Sequence, residues 1–250
     1  MPGGITPNSN HAALALLRAD PESAMDKFGF MIDPYSWNRG SMVVGRWGGP
    51  ALVSCLDRGG GIFMLTPKNE VGGDYYYPHL TTNVTKVVVP FGCSDGAIAL
   101  TPAMNGCALQ VNRDEHGLTF MHDGDGTSMK ATGDDAPPAN SQMVCRVDYA
   151  GYGGAVAMSA GENLASAGNF RSKRKNVTVN PLSQSFCICV KREGRWKVFY
   201  STIITLKTDT RVQTIGGMIL DDRFRTKNTV DTKFLKYRST LGSLVTSFEG

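Results

Sequence analysis

Along most of the chain Val, Ile, Leu, Phe and Tyr fall in short runs, alternating or continuous, that are bounded by Gly, Pro, Asn or Asp. This is the punctuation of strands and turns, and the wider spacing of amphipathic helices is sparse. The exception is His11 to Arg18, whose Ala and Leu content predicts a short helix capped by Ser9 or Asn10. Asp20-Pro21 then ends or restarts it, and residues 1–40 are expected to be peripheral. Met42 to Trp47 and Ala51 to Leu56 predict a hairpin around Gly48-Gly49-Pro50. Further strands are predicted at Ile62 to Leu65, Thr85 to Phe91, Ala97 to Leu100, Cys107 to Asn112, Gly117 to His122, Gln142 to Tyr149 and Ala155 to Met158. A long hairpin, Ser185 to Lys191 with Trp196 to Leu206, turns at Arg192-Glu193-Gly194.

Two stretches interrupt this rhythm. Asp123 to Asn140 is polar, with Gly124, Gly126, Gly133 and Pro137-Pro138, and reads as a long surface loop of the kind that carries function or disorder. Gly161 to Asn176 is similar and ends in Arg171-Ser172-Lys173-Arg174-Lys175, for which a solvated loop is favoured over a docking patch. No repeat of fixed period is visible.

At 250 residues the chain is long enough for a large core in one domain, so 1–250 is read as a single domain. The 26 basic and 22 acidic residues leave a net charge of +4, which demands neither nucleic acid nor an anionic membrane. No apolar stretch approaches a membrane span, and the N-terminus lacks the pattern of a signal peptide, so a soluble protein is expected. Six cysteines without a C-x-x-C pair, most of them within apolar runs, argue for reduced thiols rather than a disulfide framework or a zinc cage.

The segment richest in chemistry is Thr101 to Gly124. A hairpin centred between Asp114 and Glu115 would pair Val111 with Leu118, Leu109 with Phe120 and Cys107 with His122, all on one face, leaving Ala108, Gln110 and Asn112 on the more polar face. Directly opposed residues have β-carbons about 4.5–5.5 Å apart, within reach of an imidazole for a sulfur. A histidine that takes the thiol proton yields a thiolate and imidazolium pair, a ready nucleophile. Gly106 removes a side chain beside Cys107, Thr101-Pro102 starts an irregular connection, and backbone N–H groups around Asn105 to Cys107 are placed to meet an oxyanion. The competing reading is that Cys107 is a buried core thiol and His122 a polar rim.

This segment resembles the cysteine glutamine deamidases, a group that includes the cytotoxic necrotizing factor catalytic domain, Burkholderia lethal factor 1 and the chemotaxis deamidase CheD. They carry a Gly-Cys pair at a strand start and a histidine on the next strand, here Gly106-Cys107 and His122. The fourteen residues between Cys107 and His122 match the necrotizing factors, and Thr101 stands six positions before the cysteine, like the threonine of the other two. Asn105 departs from the toxins' Leu-Ser-Gly-Cys, which here reads Met104-Asn105-Gly106-Cys107. The resemblance covers about 25 residues, a tenth of the chain. It implies an α+β, predominantly β fold, a β-sandwich of mixed sheets decorated with loops and a few short helices. It also implies deamidation of a glutamine in a protein partner by Cys107 and His122, with Thr101 orienting the histidine or lining the pocket, and no metal or organic cofactor.

Other candidates are weaker. His79, in Asp74-Tyr75-Tyr76-Tyr77-Pro78-His79, lies in an aromatic loop suited to walling a pocket or meeting a partner, with structural packing favoured. Asp123-Gly124-Asp125-Gly126 suggests a calcium loop, but Ser128 stands where an EF-hand needs glycine, so a turn is favoured. His116 belongs to an exposed hairpin tip; Cys187 and Cys189 alternate within a strand buried on both faces; Cys55, Cys93 and Cys145 read as core, with Cys93 the best rival nucleophile.

The expected function is thus deamidation through a thioester, with transglutamination as a close variant and a non-enzymatic β-sandwich adaptor as the alternative. A reactive Cys107 thiol near neutral pH separates enzyme from adaptor. The expected setting is a monomer acting on a protein substrate, without nucleic acid or membrane. It is either a bacterial toxin or effector secreted by a dedicated apparatus into a host cytosol, or an enzyme of the bacterial cytoplasm.

Overall fold

The computed structural model of the chain describes residues 12–33, 45–80, 82–152, 177–210, 229–237 and 244–250. Helices α1 (Ala12–Ala19) and α2 (Pro21–Lys27) precede the strands. The helix does restart at Asp20-Pro21: Pro21 occupies the first turn, where it has no hydrogen bond to lose, and the Asp20 carboxylate accepts from the Ser23 N–H at 3.1 Å.

Two sheets pack face to face, as expected of a predominantly β sandwich. The large sheet follows the order β1 (Gly29–Ile32), β3 (Ile62–Lys68), β2 (Gly49–Asp57), β4 (Asp74–Tyr76), β6 (Ile98–Ala103), β10 (Val177–Arg192), β11 (Arg195–Thr210) and β12 (Thr229–Tyr237), with β13 (Leu244–Glu249) also on β11. It is mixed, because β1 with β3 and β4 with β6 run parallel. The small sheet, β5 (Val84–Val89), β8 (Leu118–Asp123), β7 (Ala108–Arg113) and β9 (Gln142–Val147), is antiparallel throughout.

Strand alternation sorts the side chains into two cores. Along β10, Phe186, Ile188 and Val190 face the helices while Cys187 and Cys189 enter the space between the sheets. The inter-sheet core joins Cys187, Cys189, Trp196, Val198 and Tyr200 to Leu109, Val111, Leu118, Phe120 and Val147. Full burial of each such side chain contributes roughly 1.5–3 kcal/mol. The helices are not a peripheral attachment: Leu14, Leu17, Ala24 and Met25 bury against Phe30, Ile32 and Leu65. Arg18 reinforces the contact with a two-pronged ion pair to the buried Asp74 carboxylate, 2.6 Å at each oxygen. Asp74 also accepts from the Val53 and Ile98 N–H groups, tying β2, β4 and β6 together.

Among the described residues the hairpin expected around Gly48-Gly49-Pro50 does not form. Instead β2 runs through Gly49 and Pro50 and pairs with β4, and Trp47 makes a parallel bridge to Lys86. Gly48 serves close approach rather than a turn, since a β-carbon there would lie 1.9 Å from the Tyr76 carbonyl oxygen. Asp74 to Tyr76, read as part of a loop, forms β4. The long hairpin holds: β10 and β11 meet at Glu193-Gly194, both with positive φ, the geometry of a tight two-residue turn. The strand predicted at Ala155 to Met158, the basic run Arg171 to Lys175 and residues 42–44 lie outside the described residues.

Candidate functional site

The site begins with the β7–β8 hairpin. Its register differs from expectation by two residues: His122 pairs with Leu109, Phe120 with Val111 and Leu118 with Arg113. Leu109 therefore does not oppose Phe120, nor Val111 Leu118. The cause is the tip, which is centred one residue later, between Glu115 and His116: the Asp114 N–H donates to the Gly117 carbonyl at 3.1 Å, and the Asp114 carboxylate accepts from the His116 and Gly117 N–H groups at 2.8 and 3.2 Å. His116 is exposed there. A shift of two preserves which face each side chain occupies, whereas a shift of one would have exchanged the faces. Cys107 and His122 consequently still share the inner face, as diagonal rather than directly opposed neighbours.

Thr101 reaches the same space from the other sheet. In β6 it pairs with Cys187, whose side chain lies in the inter-sheet core, and a bulge at Pro102 follows. Thr101 Oγ1 lies 2.5 Å from His122 Nδ1, with both groups buried. The other ring nitrogen, Nε2, is buried without a hydrogen-bond partner. Thr101 on β6, His122 on β8 and Cys107, directly before β7, are thus brought together.

A fourth residue joins them. His79, on the segment between β4 and β5, places Nε2 3.7 Å from Cys107 Sγ, and its ring lies against that of His122 with centroids 4.7 Å apart. The ligand-type atoms of His79, Cys107 and His122 all fall within 4.8 Å of one another. His79 belonged to an aromatic loop whose packing no strand rule could place; the available signal was a histidine directly after Tyr-Pro in a chain with only four. The approach depends on Gly124, where a β-carbon would stand 2.0 Å from the Leu80 carbonyl oxygen. Thr85 anchors the same segment by donating its hydroxyl to the Pro78 carbonyl.

Cys107 follows a tight turn. Its N–H donates to the Met104 carbonyl at 3.2 Å, and Gly106, with φ of 85° beside an Asn105 of negative φ, takes the third position of a type II turn. Open space surrounds Gly106, so conformation rather than crowding requires the glycine. Tyr152, stacked on Tyr200, donates its hydroxyl to the Met104 carbonyl and contacts the Cys107 carbonyl at 3.3 Å, while the Gly106 N–H faces the phenol oxygen. The backbone donors expected around Asn105 to Cys107 are in this respect engaged: the Cys107 N–H closes the turn and the Gly106 N–H meets Tyr152.

Electrostatics give a neutral resting site, not the ion pair expected from the sequence. Cys107 is 1% exposed, and burial pushes its thiol up to about 12, with Asp123 and Asp125 adding in the same direction. The thiol proton is held by the Gly124 carbonyl, 3.1 Å from Sγ. Burial drives the His122 imidazole well below its ordinary value, and the neighbouring His79 adds to this. Burial lowers His79 too, partly offset by its hydrogen bond to the Gly124 carbonyl.

The remaining candidates fall elsewhere. Asp123 to Ser128 forms a turn in which the Asp125 carboxylate accepts from the Thr127 N–H and the Asp123 carboxylate from the Ser128 N–H. The long loop that follows folds onto the outer face of the small sheet: the Asp135 carboxylate accepts from the Val84 N–H and Arg46, and Lys86 donates to the Ala136 carbonyl. With Trp47, Arg46 and Lys86 it borders a concavity of about 510 Å³ that none of Thr101, Cys107, His122 or His79 lines. All six cysteines are free; Cys93 is half-buried, and the charged group that acts on it most is Lys191. Among the described residues no helix is long and apolar enough to cross a membrane. No family model matches the chain, and no curated protein sequence matches it significantly.

Proposed function

We propose that the protein is a thiol-dependent deamidase of glutamine side chains in a protein target, with Cys107 as nucleophile. The observation that carries this reading is the convergence of Thr101 on β6, His122 on β8 and Cys107 on the turn leading into β7, from both sheets, on one buried spot with a hydroxyl fixed on one ring nitrogen of the histidine. In the tautomer that donates Nδ1–H to Thr101, His122 turns a lone pair of Nε2 into the site, the arrangement a general base needs.

The chemistry follows from a neutral start. Contact with substrate transfers the Cys107 proton to imidazole as sulfur attacks the carboxamide carbon. The imidazolium then protonates the departing nitrogen, ammonia leaves and a thioester remains. Imidazole next takes a proton from water, the hydroxide adds to the thioester, and the thiolate leaves and recovers its proton, with glutamate as product. His79, nearest to sulfur at 3.7 Å, is placed to share the proton with His122. An amine in place of water would give transglutamination by the same steps. Delivery as a bacterial toxin or effector to a host protein is part of this reading and rests on the resemblance of the hairpin.

The burial of the Cys107 thiol favours a second reading, an adaptor in which the cysteine is structural. Glutamine-to-glutamate conversion separates the two, mapped by mass spectrometry after incubation with a cell lysate and then on the isolated target. Cys107→Ser, Cys107→Ala and His122→Ala are each expected to abolish nearly all conversion while melting cooperatively, because groups that share one step lose activity non-additively. Conversion that persists in folded Cys107→Ala refutes the assignment.

A further inference from the structure

We propose that His79, Cys107 and His122 form a binding site for a thiophilic divalent cation, Zn²⁺ by preference, that caps the thiol reversibly. The inference concerns binding at these residues and does not require that glutamine deamidation be their reaction.

The first support is the donor set and its spacing. One sulfur and two imidazoles lie with their ligand-type atoms within 4.8 Å of one another, the Sγ to Nε2 edge at His79 being 3.7 Å. Tetrahedral zinc with Zn–S of about 2.3 Å and Zn–N of about 2.0–2.1 Å sets its ligand atoms roughly 3.3–3.6 Å apart. The Sγ to Nε2 edge is already near that length, and no edge, being within 4.8 Å, needs to contract by more than about 1.5 Å. His79 sits on the segment between β4 and β5 and is only half-buried, so its ring can supply that movement by rotation about its side-chain bonds.

The second support is independent of the cluster's geometry. His122 Nε2 is a buried polar atom with no partner, on a residue of 0% exposure, and leaving such an atom unsatisfied is destabilising. Its other nitrogen is held by Thr101 Oγ1 at 2.5 Å, the outer-sphere arrangement that fixes the tautomer and ring orientation of metal-bound histidines. A cation at Nε2 satisfies the orphan nitrogen with the ring already oriented.

Binding releases the Cys107 proton to solvent, so a dication joined to one thiolate and two neutral imidazoles leaves a net charge of +1. The sulfur lone pair that would attack a carbonyl is then committed to the metal. Three protein ligands leave a fourth position open to water. The site therefore resembles a blocked nucleophile more than a closed structural zinc.

The test uses the full chain, stripped with chelator and titrated with Co²⁺ and Zn²⁺. One equivalent of Co²⁺ is expected to give a thiolate-to-cobalt charge-transfer band and intense tetrahedral d–d bands, which Zn²⁺ abolishes by displacement. Cys107→Ser should remove the charge-transfer band and Cys93→Ser should keep it. His79→Ala and His122→Ala should each weaken Zn²⁺ by more than about 100-fold, and Thr101→Val by about 10–100-fold as an outer-sphere partner. If a variant does not fold, the unsubstituted protein still decides: Zn²⁺ should protect Cys107 from alkylation at mildly alkaline pH, read by peptide mapping, and excess chelator should restore labelling. Sub-stoichiometric uptake, a band that survives Cys107→Ser, or unprotected Cys107 overturns the proposal. All these readouts are independent of glutamine conversion, so a protein that binds zinc but converts no glutamine refutes the deamidase reading alone.

Discussion

Replacing Gly124 by alanine tests whether the approach of His79 to Cys107 matters. The new β-carbon would stand 2.0 Å from the Leu80 carbonyl oxygen and 3.1 Å from that of Asn83, both backbone atoms that cannot rotate aside. A carbon–oxygen contact needs about 3.3 Å, so the 77–80 segment must retreat by more than about 1 Å. The His79 Nε2 to Cys107 Sγ distance, now 3.7 Å, then passes beyond hydrogen-bonding reach. Overpacking costs about 1–3 kcal/mol, while the lower chain entropy of alanine in the unfolded state returns about 0.4–1 kcal/mol. The net loss of roughly 0–2.6 kcal/mol lowers Tm by roughly 2–4 °C per kcal/mol in a chain of this size. Misplacement by an ångström costs about 100-fold in turnover, far more than the stability change explains. Gly133→Ala is the control: with φ of 87° and no atom within 4 Å of a new β-carbon, it should cost about 1–2 kcal/mol through backbone strain and leave turnover alone. Melting curves and glutamine conversion are measured for both. Turnover in Gly124→Ala equal to that of Gly133→Ala would show that the placement of His79 contributes nothing to the chemistry.

Thr101→Val keeps the side-chain shape but removes the oxygen 2.5 Å from His122 Nδ1, so turnover should fall about 10–100-fold with a stability loss of about 1–3 kcal/mol, read by conversion rate and denaturant unfolding. Acid should destabilise the protein as pH falls below about 6.5, because the buried imidazoles of His79 and His122 have folded pKa values below their unfolded ones and the unfolded chain binds the extra protons. Replacing His122 by Gln should flatten that slope in pH-dependent melts. At the alkaline end, Cys55, Cys107 and Cys145, each pushed up to about 12 by burial, favour the folded state fully below pH 9.0 and lose that contribution as pH rises toward 12; labelling of Cys107 in the free protein should likewise keep accelerating through this range. Arg18→Ala should cost about 3–5 kcal/mol by leaving the buried Asp74 carboxylate without its cation, whereas Arg18→Ala combined with Asp74→Asn should recover part of it, measured in a double-mutant cycle.

Alternation of side chains is a property of the strand itself, so the sequence alone determined that Cys107, Leu109 and Val111 share a face with Leu118, Phe120 and His122, and that Cys187 and Cys189 oppose Phe186 and Ile188 across one strand. The mostly β architecture was legible for the same reason. Register was not, because it depends on how the turn satisfies its own N–H groups: Asp114 fixed the tip one residue further along the chain and moved Cys107 from opposite His122 to opposite Gly124. The faces survived only because the shift was even. The covering helices escaped notice as core elements because Leu14 and Leu17 find their partners on strands that begin at Phe30 and continue to Ile203, contacts that no local window contains. His79 is the clearest case. Its place beside Cys107 comes from a segment crossing between the sheets, admitted by the missing side chain of Gly124, and the neutral thiol and imidazoles follow from burial that only the packed sheets create.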